Sequence, residues 1–110
     1  MSKPVRLSEE VYSRLGNLSE GFETPSDAIL RILNSYEYLE SYKLLNRAIS
    51  EKIKILKDEP RVAMQNVAIL LHFDQASVKR AIEQIIQENS SYNFTYQQNI
   101  NSITVTIERN

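Results

Sequence analysis

Arg6, Lys79 and Arg80 are cations whose spacing leaves them on the outward side of regular elements, and each brings hydrogen-bonding chemistry. An arginine guanidinium is a planar fork of N–H donors that fits two acceptors at once, on a carboxylate, a phosphate or a base edge. A lysine ammonium is a point charge, better suited to a phosphate than to a directional pair. Arg6 stands with Lys3 and the terminal amine in residues 1–7, a stretch without a single acid. Gln75 lies about one helical turn before Lys79 and adds an amide. The chemistry on offer is recognition rather than bond breaking.

Catalytic readings fare poorly beside it. The chain has two glycines and no Gly-rich phosphate loop. The carboxylate pairs Glu9-Glu10 and Asp58-Glu59 fall at expected helix ends, where capping and solvation account for them. His72 is the one histidine, so the serines lack a base partner and no second metal ligand sits at useful spacing. The absence of cysteine excludes disulfides and thiolate metal sites. The expectation is a protein that is not an enzyme, with no cofactor and no metal.

At 110 residues the chain holds one domain or two very small ones, each marginal unless stabilised by association. Charged residues at 25% and hydrophobic ones at 42% suit a folded globular protein. No apolar run approaches bilayer length and no signal-peptide pattern opens the chain, which points to the cytoplasm and to no membrane partner. The formal net charge is −1. Any anion-binding face must therefore be a small patch on a slightly acidic body.

The elements that hold these residues begin with V-R-L-S-E-E-V-Y-S-R-L-G-N-L-S-E-G-F-E-T-P-S-D-A-I-L-R-I-L, residues 5–33. Val5 and Leu7 point one way from an extended start and Arg6 the other. A strand so isolated has no partner in its own chain and needs one from another copy. Ser8 is a good N-cap, with Glu9 and Glu10 placed where the macrodipole favours acids. Val11, Leu15 and Leu18 form one helical stripe. Gly21 supplies a left-handed stop, and Gly16 weakens the helix slightly. Thr24, Pro25 and Asp27 make a second start signal, with Asp27 reaching back in the manner of a capping box. Ala28, Ile29, Ile32 and Leu33 are the apolar face that follows.

This stretch resembles the ribbon-helix-helix (MetJ/Arc-like) family of prokaryotic DNA-binding proteins. The resemblance implies an antiparallel ribbon made by two chains and inserted into the major groove of double-stranded DNA. It further implies base-facing positions at Ser2, Pro4 and Arg6, and a phosphate held by the backbone near Thr24 and Ser26. Pro4 departs from the pattern, because it removes a ladder donor and favours a strand start or edge.

From residue 35 to 57 runs a stretch free of glycine and proline. Leu39, Tyr42, Leu45, Ile49, Ile53 and Leu56 recur at three- and four-residue steps, marking an amphipathic helix. Tyr36, Tyr38 and Tyr42 cluster at its start and read as core or dimer interface. Lys43, Arg47, Lys52, Lys54 and Lys57 give a basic side, partly balanced by Glu37, Glu40 and Glu51, and read as a solvated face. Asp58, Glu59 and Pro60 end the helix.

After the break, residues 67–85 suggest a short helix ending near His72, a tight turn with His72 at positive φ, and a helix capped by Asp74. Ala68 would sit where the two helices approach, and Val78, Ala81, Ile82 and Ile85 form the buried stripe. Gln75, Ala76, Lys79, Arg80 and Glu83 are left outward. Tyr92, Phe94 and Tyr96, then Ile103, Val105 and Ile107, alternate with polar residues around an amide-rich turn, which spells a hairpin. Residues 53–108 thus resemble the winged-helix superfamily, with Val62 as the short third strand and Gln75, Lys79 and Arg80 on a recognition helix. No Lys or Arg occurs from residue 90 to 107, so the hairpin offers amides or a pairing edge instead of ionic clamps.

The expected fold is mainly α with a small β component: a ribbon-helix-helix arm over 1–35, a linking helix over 36–57 and a winged-helix body over 58–110. Two functions fit. One is a dimeric DNA-binding regulator of transcription or replicon maintenance, joined through its N-terminal strand. The other is a dimeric adaptor that takes a protein partner at the C-terminal hairpin.

Overall fold

The computed structural model describes residues 7–21 and 23–110. Helices α1 (Glu9–Leu18) and α2 (Pro25–Asp58) come first. Strand β1 (Met64–Leu70), helix α3 (Gln75–Glu88) and strands β2 (Tyr92–Gln98) and β3 (Ser102–Arg109) follow. The chain divides into two compact units, Met1–Asn34 and Ser35–Asn110.

In the first unit, Ser8 caps α1 by accepting from the Val11 N–H at 3.2 Å. The helix stops at Leu18, where the Ser19 hydroxyl donates back to the Leu15 carbonyl at 2.7 Å. Gly21, at φ 59°, makes the turn beyond it. Thr24 and Asp27 then cap α2 reciprocally, each backbone N–H donating to the other's side chain at 3.2 Å. Leu15 and Ala28 are buried, whereas Val11, Leu18, Leu30 and Leu33 are exposed.

Two corrections concern this end of the chain. Among the described residues the first strand begins at Met64, and Leu7, the end of the expected ribbon, lies in no strand. A strand alone in one chain has no ladder to complete. Val5 and Arg6 lie outside the described residues. The expected linking helix is also not a separate element, because α2 runs unbroken for 34 residues with no glycine and no proline after Pro25 to interrupt it.

The second unit has its core between helices and sheet. Leu45, Ile49, Ile53 and Leu56 of α2 and Val78, Ala81, Ile82 and Ile85 of α3 cluster with Ile103, Val105 and Ile107 of β3, all buried. The antiparallel sheet has the order β1-β3-β2, so β3 is central. Val105 lies between Val67 and Tyr96, and Ile107 between Gln65 and Phe94, one inward row after another. Leu39, expected in the helical seam, is exposed.

The expected helix before His72 is strand β1 instead, and the winged helix-turn-helix assignment is corrected accordingly. Gln65, Val67 and Ile69 are half-buried while Met64, Asn66, Ala68 and Leu70 are exposed, a period of two. Short apolar runs such as V-A-I-L-L do not distinguish strand from helix by periodicity, and pairing with β3 decides it. Ala68 therefore faces outward rather than a second helix. Val62 precedes the strand in a turn, its N–H donating to the Glu59 carbonyl at 3.0 Å. His72 does not have positive φ, because Gly21 alone does among the described residues. With β1 rather than a helix directly before it in the chain, α3 is not the second helix of a helix-turn-helix.

Candidate nucleic-acid interface

The expected contact residues fall into separate places. Ser2, Lys3, Pro4 and Arg6 lie outside the described residues. Thr24 and Ser26 are exposed at the start of α2 in the first unit. The Asp27 carboxylate accepts the Thr24 N–H there, so the first donor at this helix end is already satisfied by an anion of the chain itself. Beside it, Arg31 pairs with Glu23 at 3.0 Å and with Glu20 at 3.9 Å. The Arg31 hydrogen bond holds the Glu23 carboxyl below its ordinary range, aided by the Glu20 backbone. The same bond raises the Arg31 guanidinium.

On α3 the outward residues are mostly engaged. Asp74 caps the helix by accepting from Ser77 at 3.3 Å, while its own N–H donates to Glu37 of α2 at 2.5 Å. The Gln75 amide donates to the Asn99 carbonyl at 3.4 Å, and Gln98 donates to the Gln75 carbonyl at 3.0 Å. Gln75 thus ties the helix start to the hairpin turn. Lys79 lies 4.0 Å from Glu83, an exposed pair of small value. The Arg80 guanidinium lies 4.5 Å from the centre of the Tyr38 ring, a cation–π contact that seats it against α2.

Tyrosine hydroxyls close the same packing. Tyr42 donates to Glu88, and that bond to a carboxylate pushes its phenol above the ordinary range. Burial does the same for Tyr96, helped by Glu83.

Arg109 has a role that the sequence did not disclose. Its guanidinium donates to the carbonyls of Leu56, Val62 and Glu59, the latter two at 2.9 Å. The last carbonyls of α2 have no helical partner of their own, and this side chain satisfies that of Leu56 while tying down Glu59 and Val62 just beyond the helix. Nothing local signals it, since the partners are some fifty residues away in sequence.

The cations without partners gather in one region. Among the described residues, Arg14, Arg31, Lys43 and Lys79 have carboxylate partners, Arg80 has Tyr38 and Arg109 has carbonyls. Arg47, Lys52, Lys54, Lys57 and Arg61 have neither an ion pair nor a side-chain hydrogen bond among the described residues, and all lie in the last part of α2 or just beyond it. Arg47, Ser50, Lys54 and Lys57 are exposed and follow one another at three- and four-residue steps, which places them on one helix face. Next to that face is a shallow groove of about 220 Å³, lined by Ser50, Ile53, Lys54, Lys57 and Asn89.

His72 is exposed, and no cluster of three or more His, Cys, Asp or Glu suited to a metal exists among the described residues. No helix among them is long and apolar enough to cross a membrane. Comparison with protein families, with curated proteins and with solved structures finds no match to this chain.

Proposed function

We propose that this chain is a DNA-binding regulator that works as a dimer, in transcription or replicon maintenance. The observation that carries this reading is the unfinished core of the first unit, next to an acid-free cationic start. Two capped helices bury Leu15 and Ala28 and leave Val11, Leu18, Leu30 and Leu33 in solvent. A unit of this size needs association to hold together. A second copy laid on those faces would double every cation of residues 1–7, Lys3 and Arg6 included. Arginine can bind guanine bidentately, which supports Arg6 as a base reader, and Lys3 suits a phosphate. The dimer contact is assigned to the helices in place of the expected strand.

Fluorescence anisotropy on pooled genomic duplexes across a salt series tests it. Wild type is expected to bind at low salt and to weaken as salt rises. Arg6→Ala should lower sequence preference, by roughly 1–3 kcal/mol at the base concerned. Absence of any DNA affinity at low salt overturns the reading.

One observation favours the adaptor instead. Ile100 and Leu70 are 79% and 74% exposed, the most exposed large hydrophobics among the described residues. Both belong to one end of the sheet, since Leu70 pairs with Ser102 and the Leu71 N–H donates to Asn101 at 3.0 Å. Exposed apolar residues gathered at one sheet end suit a protein contact better than DNA. A protein that co-purifies with wild type and is lost on Ile100→Asn would support that second reading.

A further inference from the structure

We propose that Arg47, Ser50, Lys54 and Lys57 on α2 form a second DNA contact, a track for the phosphates of one strand, outside the sites expected from sequence. The proposal rests on the DNA-binding reading above and adds to it a location in the second unit. On α3, which the sequence suggested as the recognition helix, Arg80 and Gln75 are held in contacts within the chain and Lys79 has an exposed ion pair of small value.

The unengaged cations gather on α2 instead. Glu51 lies within one helical turn of both Arg47 and Lys54, yet no ion pair joins it to either, whereas Glu40 does hold Lys43 at 3.7 Å. Lys43 is accordingly left out of the track. Lys57, in the last turn, also complements the helix dipole, but Arg47 and Lys54 stand too far back for that to account for them. Ser50 adds a neutral hydroxyl donor between the cations. The Asn89 side-chain N–H donates to the Ile85 carbonyl at 2.8 Å, so Asn89 shapes the groove without adding a donor to it.

Geometry favours duplex DNA as the occupant. From Arg47 to Lys57 the helix rises about 15 Å at its usual ~1.5 Å per residue. A DNA strand carries one charge per about 3.4 Å of its axis and winds around that axis, so a straight span of that length faces roughly two to three phosphates. A rigid, uninterrupted helix holds its cations in a line, and a regularly charged rod matches such a line best. The pI near 5.8 argues against the body as a whole attracting DNA, so the contact must be local.

The test is anisotropy titration of the full chain with a mixed-sequence duplex over a range of salt. It compares wild type, the triple variant Arg47→Ala/Lys54→Ala/Lys57→Ala, and Lys43→Ala as a charge-loss control on the same helix. Each lost phosphate contact flattens the plot of log K against log salt by about 0.9, so the triple variant should lose roughly 2–3 from its slope. Its affinity near 0.1 M salt should fall by about tenfold or more. Lys43→Ala should keep the wild-type slope, and the melting temperature of all three should agree, since these side chains are exposed. An unchanged slope in the triple variant, with wild type still binding, overturns the track and leaves the regulator reading intact. No binding by wild type at low salt brings down the regulator reading first. If polyglutamate of matched charge binds wild type as tightly as the duplex does, and loses as much in the triple variant, the assignment to DNA is overturned in favour of an acidic protein.

Discussion

Ser41 is wholly buried on the inward face of α2, and its hydroxyl has no hydrogen-bond partner among the described residues. A buried polar group left unsatisfied costs about 1–3 kcal/mol, so removing it should help rather than harm. Ser41→Ala is expected to stabilise the fold by about 1 kcal/mol in urea unfolding, with an unchanged m-value. A loss of stability would show that the hydroxyl does make a bond. Residues of this kind mark the limit of reading single positions from sequence. Periodicity correctly placed Val78, Ala81, Ile82 and Ile85 on a buried stripe, because they share one helix. It could not show that Arg80 finds the ring of Tyr38, or that Arg109 reaches back to the end of α2. Those partners lie on other elements, and side-chain spacing within a helix carries no information about them. The free cations of α2 were visible as a basic side from the start. What separated Arg47, Lys54 and Lys57 from Lys43 was the set of acids they do not reach.

Local signals served well for element ends and poorly for the identity of one element. Ser8, the Thr24–Asp27 pair and Asp74 all act over three residues, so the sequence alone places them. The hairpin of β2 and β3 was legible from its alternation, which the register confirms row by row. The segment Met64–Leu70 was not. Its apolar residues crowd toward the end, and the choice of strand depends on β3, more than thirty residues later in the chain. The same distance hid the absence of a helix-turn-helix. A pair of substitutions checks the assignment. Ala68→Lys should shift stability by less than about 0.5 kcal/mol, because Ala68 faces outward on an edge strand. Val67→Lys should cost about 2 kcal/mol or more, since Val67 packs against the core opposite Val105. Were the segment a helix with Ala68 at a helix–helix contact, the order would reverse, and a thermal melt of each variant decides it.

At the scale of the whole molecule the two units differ in how far each completes itself. The unit Ser35–Asn110 has a continuous core from both of its helices and its central strand. Among the described residues, the unit Met1–Asn34 has Leu15 and Ala28 buried and Ile29 and Ile32 half-buried, while Val11, Leu18, Leu30 and Leu33 are exposed. Folding a piece so small demands more apolar burial than it contains, at about 25 cal/mol for each Å² removed from water. A second copy is the economical source, because an isologous contact needs only one surface. Leu30 and Leu33 lie on exposed positions of α2 within this unit, 58% and 47% accessible, and are its best candidates for that surface. The double variant Leu30→Glu/Leu33→Glu should therefore convert a dimer into a monomer in sedimentation equilibrium. Exposed positions should tolerate the change if they faced water alone, so a dimer that survives it rules out this surface. Wild-type melting temperature should also rise with protein concentration, as mass action requires of a fold that depends on its partner. The variant should lose that dependence and part of its helical signal together, while the second unit keeps its own transition. A wild type that sediments as a monomer at every concentration would leave the first unit without a source of stability, and with it the dimeric regulator.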